Sequence, residues 1–257
     1  MKSFFYSDEL NDDFAFAYVK RQKVIEDNYH YISNNIFFLI LEFVVYRIIM
    51  TLVAFFSCLH KRVRIKNRKV LRKAHGKYFL FGNHTQMPDD AYIPNLIGFP
   101  YKSFIIVNPD AVSFKGFEWF VKMSGSLPVP SKITGLKNFM NAIERRVNHH
   151  HPIVIFPEAH IWPYYTKIRP YKSTAFRYPI KFDKPAFCFT TTYQKRRFSN
   201  KPKITVYVDG PFYYDKELKG KAQEVDLRDR VYNCMVERSK NSTFEYYKYY
   251  KRVDKND

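Results

Sequence analysis

In the stretch FLFGNHTQMPDD, Phe79 to Asp90, a histidine and an aspartate, His84 and Asp89, stand with four residues between them. A carboxylate that accepts a hydrogen bond from one imidazole nitrogen leaves the other free to take a proton. That is the orienting half of a Ser-His-Asp arrangement, with the hydroxyl of a substrate in the place of the serine. On these residues alone an equal reading is a loop histidine followed by acids that suit the start of a helix. A second stretch, IVIFPEAH from Ile153 to His160, repeats the layout: an apolar run, a turn-forming proline, then polar residues that include Glu158. Two such junctions on neighbouring strands would open onto one crevice.

The elements that must position them follow from periodicity. Short apolar runs rich in aromatic and β-branched residues at Tyr78–Phe81, Ser103–Val107, Ile153–Phe156, Ala186–Tyr193 and Lys203–Val208 read as strands. Leu136, Phe139, Met140, Ile143 and Val147 recur with helical spacing, as do Leu227, Val231, Cys234 and Met235. Strands alternating with helices predict an α/β fold: a mixed, largely parallel sheet flanked by helices. In such sheets ligands gather beyond the carboxyl ends of the strands. His84 lies three positions past a predicted strand end, Pro88 suits a first helical position, and Asp89 and Asp90 fall in the first turn.

The 257 residues hold 43 Lys and Arg against 24 Asp and Glu, a net charge of +19, which calls for a polyanionic partner surface. Anionic membrane and nucleic acid both answer to that, and an aromatic share of 19% suits either. The run Ile36–Leu59 favours the membrane: only Glu42, Arg47, Thr51 and Ser57 are not apolar. A charge costs about 2.5–3.5 kcal/mol near a bilayer centre, while a good apolar residue returns about 0.3–0.6, so a full crossing roughly breaks even and a helix or helical hairpin in one leaflet is an equal expectation. Directly after it, Lys61, Arg62, Arg64 and Lys66 open a stretch of eight basic residues and no acid, read as contacts to anionic lipid on the cytoplasmic face. The N-terminus shows no export signal. Residues 1–60 are therefore expected to form a membrane-associated segment and residues 61–257 a single globular unit. Three scattered cysteines exclude a disulfide framework and give no zinc spacing.

Asn83-His84 followed by Asp89 resembles the N-H-x-x-x-x-D motif of the glycerolipid acyltransferases, the PlsC-like family, and Phe156-Pro157-Glu158 resembles its F-P-E-G motif. Gly125 to Pro130, GSLPVP, is similar to the second family block, and Lys184 to Thr190, KPAFCFT, to the fourth. The resemblance covers roughly residues 61–208. It implies transfer of an acyl group from a thioester on coenzyme A or acyl carrier protein, or from an acyl phosphate, to a lysophospholipid-like hydroxyl. It implies no bound cofactor and no metal. By the family scheme His84 is the general base, Asp89 orients it, and Asn83, Pro157 and Glu158 shape the acceptor site. Backbone N–H groups near Gly82, Asn83 or Gly125 are candidates for the oxyanion donors.

Two arginines of the family pattern are absent: Ser131, followed by Lys132, stands at one place, and His160-Ile161 replaces Thr-Arg at the other. Lys132, Lys167, Arg169 and Lys172 are the candidates for holding an acceptor phosphate instead. His149–His151 looks like a metal tract, but consecutive residues do not converge on one ion. His160 is expected beside Glu158, Cys188 as a small buried hydrophobe, and the C-terminal FEYYKYYKRVDK as an amphipathic helix end or a lipid- or base-contacting segment. With these motifs present no nucleic-acid partner is expected. The rival reading is a non-catalytic basic protein bound to membrane or nucleic acid, or an enzyme acting on a non-lipid alcohol.

Overall fold

In the computed structural model, which describes residues 2–14, 24–61, 63–87, 89–113 and 118–252, the predicted strands are present and are joined by others. In chain order the strands are β1 (Lys2–Tyr6), β2 (Arg64–Lys66), β3 (Phe79–Gly82), β4 (Phe104–Val107), β5 (Ser126–Pro128), β6 (Ile153–Ile155), β7 (Ala186–Arg196), β8 (Ser199–Phe212) and β9 (Tyr247–Lys251). Seven of them form one sheet in the order β2-β8-β7-β3-β6-β4-β5. The five strands from β7 to β5 are mutually parallel, and β8 runs antiparallel to β7 as a hairpin with β2 parallel to it at the edge. The register sets Phe81 opposite both Ile155 and Cys188, so β3 and β6 end side by side.

Alternation along each strand divides the core into two layers. On one face Phe79, Phe81, Ile153 and Ile155 pack with α5 (Leu136–Asn148) and α7 (Lys221–Ser239), through Phe139, Ile143, Val147, Leu227, Val231 and Met235. On the other, Leu80, Val154, Phe187 and Phe189 meet Ile93 and Ile97 of the short helix α3 (Ile93–Gly98) and Leu71. The helices α4 (Glu118–Met123) and α6 (Arg177–Lys181) complete the crossovers.

The apolar run is one continuous helix without a hairpin turn: α1 (Ile36–Val44), a π-helical segment Val45–Met50 and α2 (Thr51–Lys61). Asn35 caps its start by accepting from the Phe37 and Phe38 N–H groups. Glu42, Tyr46, Met50 and Ala54, spaced by four, are buried against the globular unit. In a regular α-helix that spacing would drift by about 40° per step, and the wider π turn in the middle reduces the drift. Glu42, which the hydropathy argument counts as a liability, is paired with Lys102 at 2.6 Å, and the Lys102 ammonium also donates to the Met123 carbonyl. Tyr46 donates to Asn95 and accepts from the Ser103 N–H at 2.9 Å. The outer face is apolar and bare, with Phe37, Phe43, Phe56 and Leu59 all more than 60% exposed. By length and composition the helix suffices to cross a membrane, but its middle is attached to the protein along one line.

The C-terminal aromatic stretch is a strand rather than a helix end: β9 pairs in parallel with β1. Its Tyr249 stacks on Trp162 and donates to the Pro163 carbonyl. Of the basic cluster, Arg64 and Lys66 are exposed on the edge strand β2, whereas the Lys61 side chain, Arg62 and the proposed helix start at Pro88 lie outside the described residues.

Candidate active site

Asn83 follows β3 and ends the strand by copying a backbone: its side chain donates to the Thr191 carbonyl at 3.1 Å and accepts from the Thr191 N–H at 2.8 Å. That fixes the next residue at the carboxyl edge of the sheet. His84 has 18% of its side chain exposed, and its ring stacks on Phe156 with centroids 4.3 Å apart. Nδ1 lies 2.8 Å from Oδ2 of Asp90, and Nε2 has no hydrogen-bond partner among the described residues. The acid that holds the imidazole is thus Asp90 and not Asp89. The short 3-10 turn Asp89–Ala91 aims the two successive carboxylates in different directions, and the Asp90 N–H closes the loop on the Gln86 carbonyl at 2.8 Å. Asp89 is buried beside it.

The Asp90 carboxylate also accepts from the Gln86 N–H at 2.8 Å. Burial pushes its pKa up, and the hydrogen bonds from His84 and Gln86 restrain the rise. In so dry a setting a carboxylate interacts more strongly with the one ring nitrogen it touches. A carboxylate on Nδ1 fixes the Nδ1–H tautomer and leaves the Nε2 lone pair directed outward, as a general base requires.

Glu158 is fully enclosed and holds the backbone of the histidine turn. One oxygen accepts from the His84 N–H at 3.1 Å, and the other from the Arg169 N–H at 3.1 Å. The Arg169 guanidinium lies 3.3 Å from the carboxylate, both side chains fully enclosed, and it donates further to the carbonyls of His160 and Glu9. It also sits over the Trp162 ring. Burial raises the Glu158 pKa, opposed by Arg169 and the two backbone donors. The Trp162 and Tyr164 N–H groups bond the His84 and Thr85 carbonyls at 3.1 and 2.9 Å, so the turns after β3 and β6 are stitched into one body. Thr85 and Gln86 are further held by the Tyr193 hydroxyl at 2.7 and 2.6 Å.

Several expected site residues are placed elsewhere. Asn83 and Glu158 support the site with every side-chain polar group engaged by protein, and Arg169 has no freedom to hold a substrate phosphate. Gly125 precedes β5 at the opposite edge of the sheet and gives its N–H to the Lys122 carbonyl, so it supplies no oxyanion donor. Its φ of +93° and the Ser103 carbonyl 2.6 Å from any added Cβ account for a glycine there. His160 turns away toward Asp13, 3.5 Å from it. Pro157 lies in the turn after β6, while Lys132, Lys167 and Lys172 are exposed. Lys132 follows β5, the outermost strand, three strands away from β3. The rings of His149, His150 and His151 each bond a different carbonyl, of Arg145, His75 and Lys102, and do not converge.

Tyr193, which fixes the histidine turn, carries no sequence signal beyond its place in a strand. The cysteines hold a similar surprise: the sulfurs of Cys188 and Cys234 and the carboxylate of Asp209 lie within 4.8 Å of one another under α7. Asp209 is already gripped by both arms of Arg238, at 2.6 and 2.7 Å, a cation that any metal would have to displace.

A family model described as Acyltransferase matches residues 62–191, which is 130 of the 257 residues. Among solved structures the chain is similar to the 1-acyl-sn-glycerophosphate acyltransferase PlsC from Thermotoga maritima, with a TM-score of 0.54 and 13% identity over 78% of this chain and 86% of that one. A likeness at that identity concerns the fold. No curated protein matches.

Proposed function

The chain belongs to the acyltransferase family, and on that premise we propose that it moves a fatty acyl group from an acyl thioester, on coenzyme A or acyl carrier protein, to the hydroxyl of a lysophospholipid-like acceptor at a membrane surface. The observation that carries the reading is His84 at the carboxyl edge of the sheet: its Nδ1 is tied to Asp90, its side chain is partly exposed, and its Nε2 has no hydrogen-bond partner among the described residues. Nε2 takes the acceptor's hydroxyl proton as the oxygen forms its bond to the thioester carbonyl carbon. Asp90 stabilises the imidazolium that results. When the tetrahedral intermediate collapses, the carbon–sulfur bond breaks and the departing thiolate receives that same proton from Nε2, leaving an ester, a free thiol and the original imidazole. No protein nucleophile enters the cycle.

Membrane association is supported by the bare apolar face of the helix Ile36–Lys61 and by the net charge of +19. An amphipathic helix attached along one side and apolar on the other lies in a single leaflet. In this reading the enzyme is monotopic on the cytoplasmic face, and anionic lipids attract the exposed Arg64 and Lys66. Exposed Lys132, Lys167 and Lys172 are the remaining cations for an acceptor headgroup, since Arg169 is fully enclosed.

The deciding experiment incubates the purified protein with a panel of lysolipids and with acyl-CoA and acyl carrier protein donors, and reads the products by mass. Acylated lipid is expected from at least one pairing and is lost in His84→Ala. Product formation that survives His84→Ala overturns the assigned base, and absence of acylated lipid from every pairing overturns the substrate class.

A further inference from the structure

A cavity of about 590 Å³ opens at the edge of the sheet opposite His84. Its walls come from Arg68–Ala74, which leads into β3, and from the link between α3 and β4, both at the amino ends of parallel strands. β3 alone, at about 3.3 Å per residue, separates this edge from the catalytic one by more than 10 Å. The lining joins two chemistries. Leu71, Ile97 and Phe99 give apolar surface, and Arg68, Lys69 and Arg72 give positive charge with no acid among the lining residues. Arg68 builds the wall, donating to the Ile97 carbonyl at 3.0 Å and to that of Phe99. The Lys69 and Arg72 side chains are exposed and have no ion-pair partner among the described residues.

The mouth of this cavity is continuous with the apolar helix. Phe99, half exposed, lies between two guanidinium groups, those of Arg68 and Arg47, each 5.9 Å from its ring. Arg47 belongs to the helix and also covers Phe43, one of the bare outer rings. A volume of this size falls in the range of about 300–1,000 Å³ typical of small-molecule sites, whereas an inorganic phosphate fills only a fraction of it. Unpaired cations over apolar walls, beside a surface that faces lipid, suit an amphiphile with an anionic head.

We propose that this cavity binds the phosphate headgroup of an anionic phospholipid that is not a substrate, with Arg72 and Lys69 on the phosphate and Leu71, Ile97 and Phe99 on the glycerol and upper chain. The idea rests on the membrane-bound reading above. Its test uses monomeric lipid, so that it stands or falls apart from vesicle binding and from turnover. The bound lipid holds the globular unit in a fixed orientation while the catalytic edge stays open to exchange.

The test titrates the full chain with dihexanoyl phosphatidic acid below its micelle-forming concentration, alongside dihexanoyl phosphatidylcholine, inorganic phosphate and coenzyme A. Phosphatidic acid is expected to bind at least about tenfold tighter than the other three, and Arg72→Ala to weaken it by about tenfold, the worth of one charge-assisted contact. Arg72→Lys, which keeps the charge and loses the fork, weakens it by about fivefold. Lys219→Ala, an equal charge loss at an exposed position outside the cavity lining, leaves it unchanged, as does His84→Ala. Unaltered binding in Arg72→Ala, equal binding in Arg72→Lys, or equal affinity for inorganic phosphate or coenzyme A overturns the proposal. Flotation of the wild type with vesicles tests the membrane reading separately.

Discussion

A single oxygen of Asp90 is shared between Nδ1 of His84 and the backbone N–H of Gln86, each 2.8 Å away. The carboxylate that orients the imidazole therefore also closes the loop that carries it, and its removal has two effects at once. Asp90→Asn keeps both bonds through its amide oxygen, but only as a weaker, uncharged acceptor, and removes the counter-charge that the imidazolium needs. Turnover should fall by about two to four orders of magnitude, as in His84→Ala, while the melting temperature changes little. Asp89→Asn should cost less than Asp90→Asn. The reverse order in single-turnover assays would return the orienting role to Asp89.

Arg169 and Glu158 form an enclosed pair, so truncating one partner strands the other. Arg169→Ala should lower the unfolding free energy by about 3–5 kcal/mol in urea titrations. Lys167→Ala and Lys172→Ala, at exposed positions, should stay within about 0.5 kcal/mol of the wild type and act on acceptor KM alone. A folded, stable Arg169→Ala with raised KM would make it a substrate ligand.

His151 predicts an acid sensitivity. Burial first, then Arg146 and Lys102, hold its pKa down to about 4, against 6.5 in the unfolded chain, with Glu42 pulling the other way. Between those values the unfolded state binds a proton that the folded state does not, so stability falls as pH drops from 6.5 towards 4. His151→Asn keeps a donor for the Lys102 carbonyl and removes the titration. Its stability should decline less steeply over that window than that of the wild type. Identical slopes would place the sensitivity elsewhere.

Phe43 and Phe56 extend from the helix without protein neighbours to bury them. Replacing both with serine should leave folding stability within about 0.5 kcal/mol. Vesicle partitioning should weaken by more than about a hundredfold, since each ring inserted in lipid contributes about 1.5–3 kcal/mol. Undiminished flotation of the double variant would place the membrane contact on another surface.

The five strands and the two long helices were legible because each carries a period that burial enforces: Phe79 and Phe81 against Leu80 in β3, and Phe139, Ile143 and Val147 along α5. The strands β2, β5, β1 and β9 were not, since three to five residues at an edge carry too few side chains for a pattern. That the turns after β3 and β6 meet was readable from His84 and the Phe-Pro-Glu stretch, but the partner of the imidazole was not. Whether Asp89 or Asp90 reaches Nδ1 depends on one residue of backbone rotation in a short turn, and spacing does not record that. Glu158, Asn83 and Arg169 show the same limit. Their polarity indicated a site, and only the geometry assigned them to its foundations.

Glu42, Tyr46 and Met50 hold the apolar helix to the globular unit along its middle rather than by a tether at one end. Helix and globular unit therefore move together. In the membrane-bound reading proposed above, the height of His84 over the lipid is set by the fold itself, and an acceptor would come within reach through the tilt of the whole molecule.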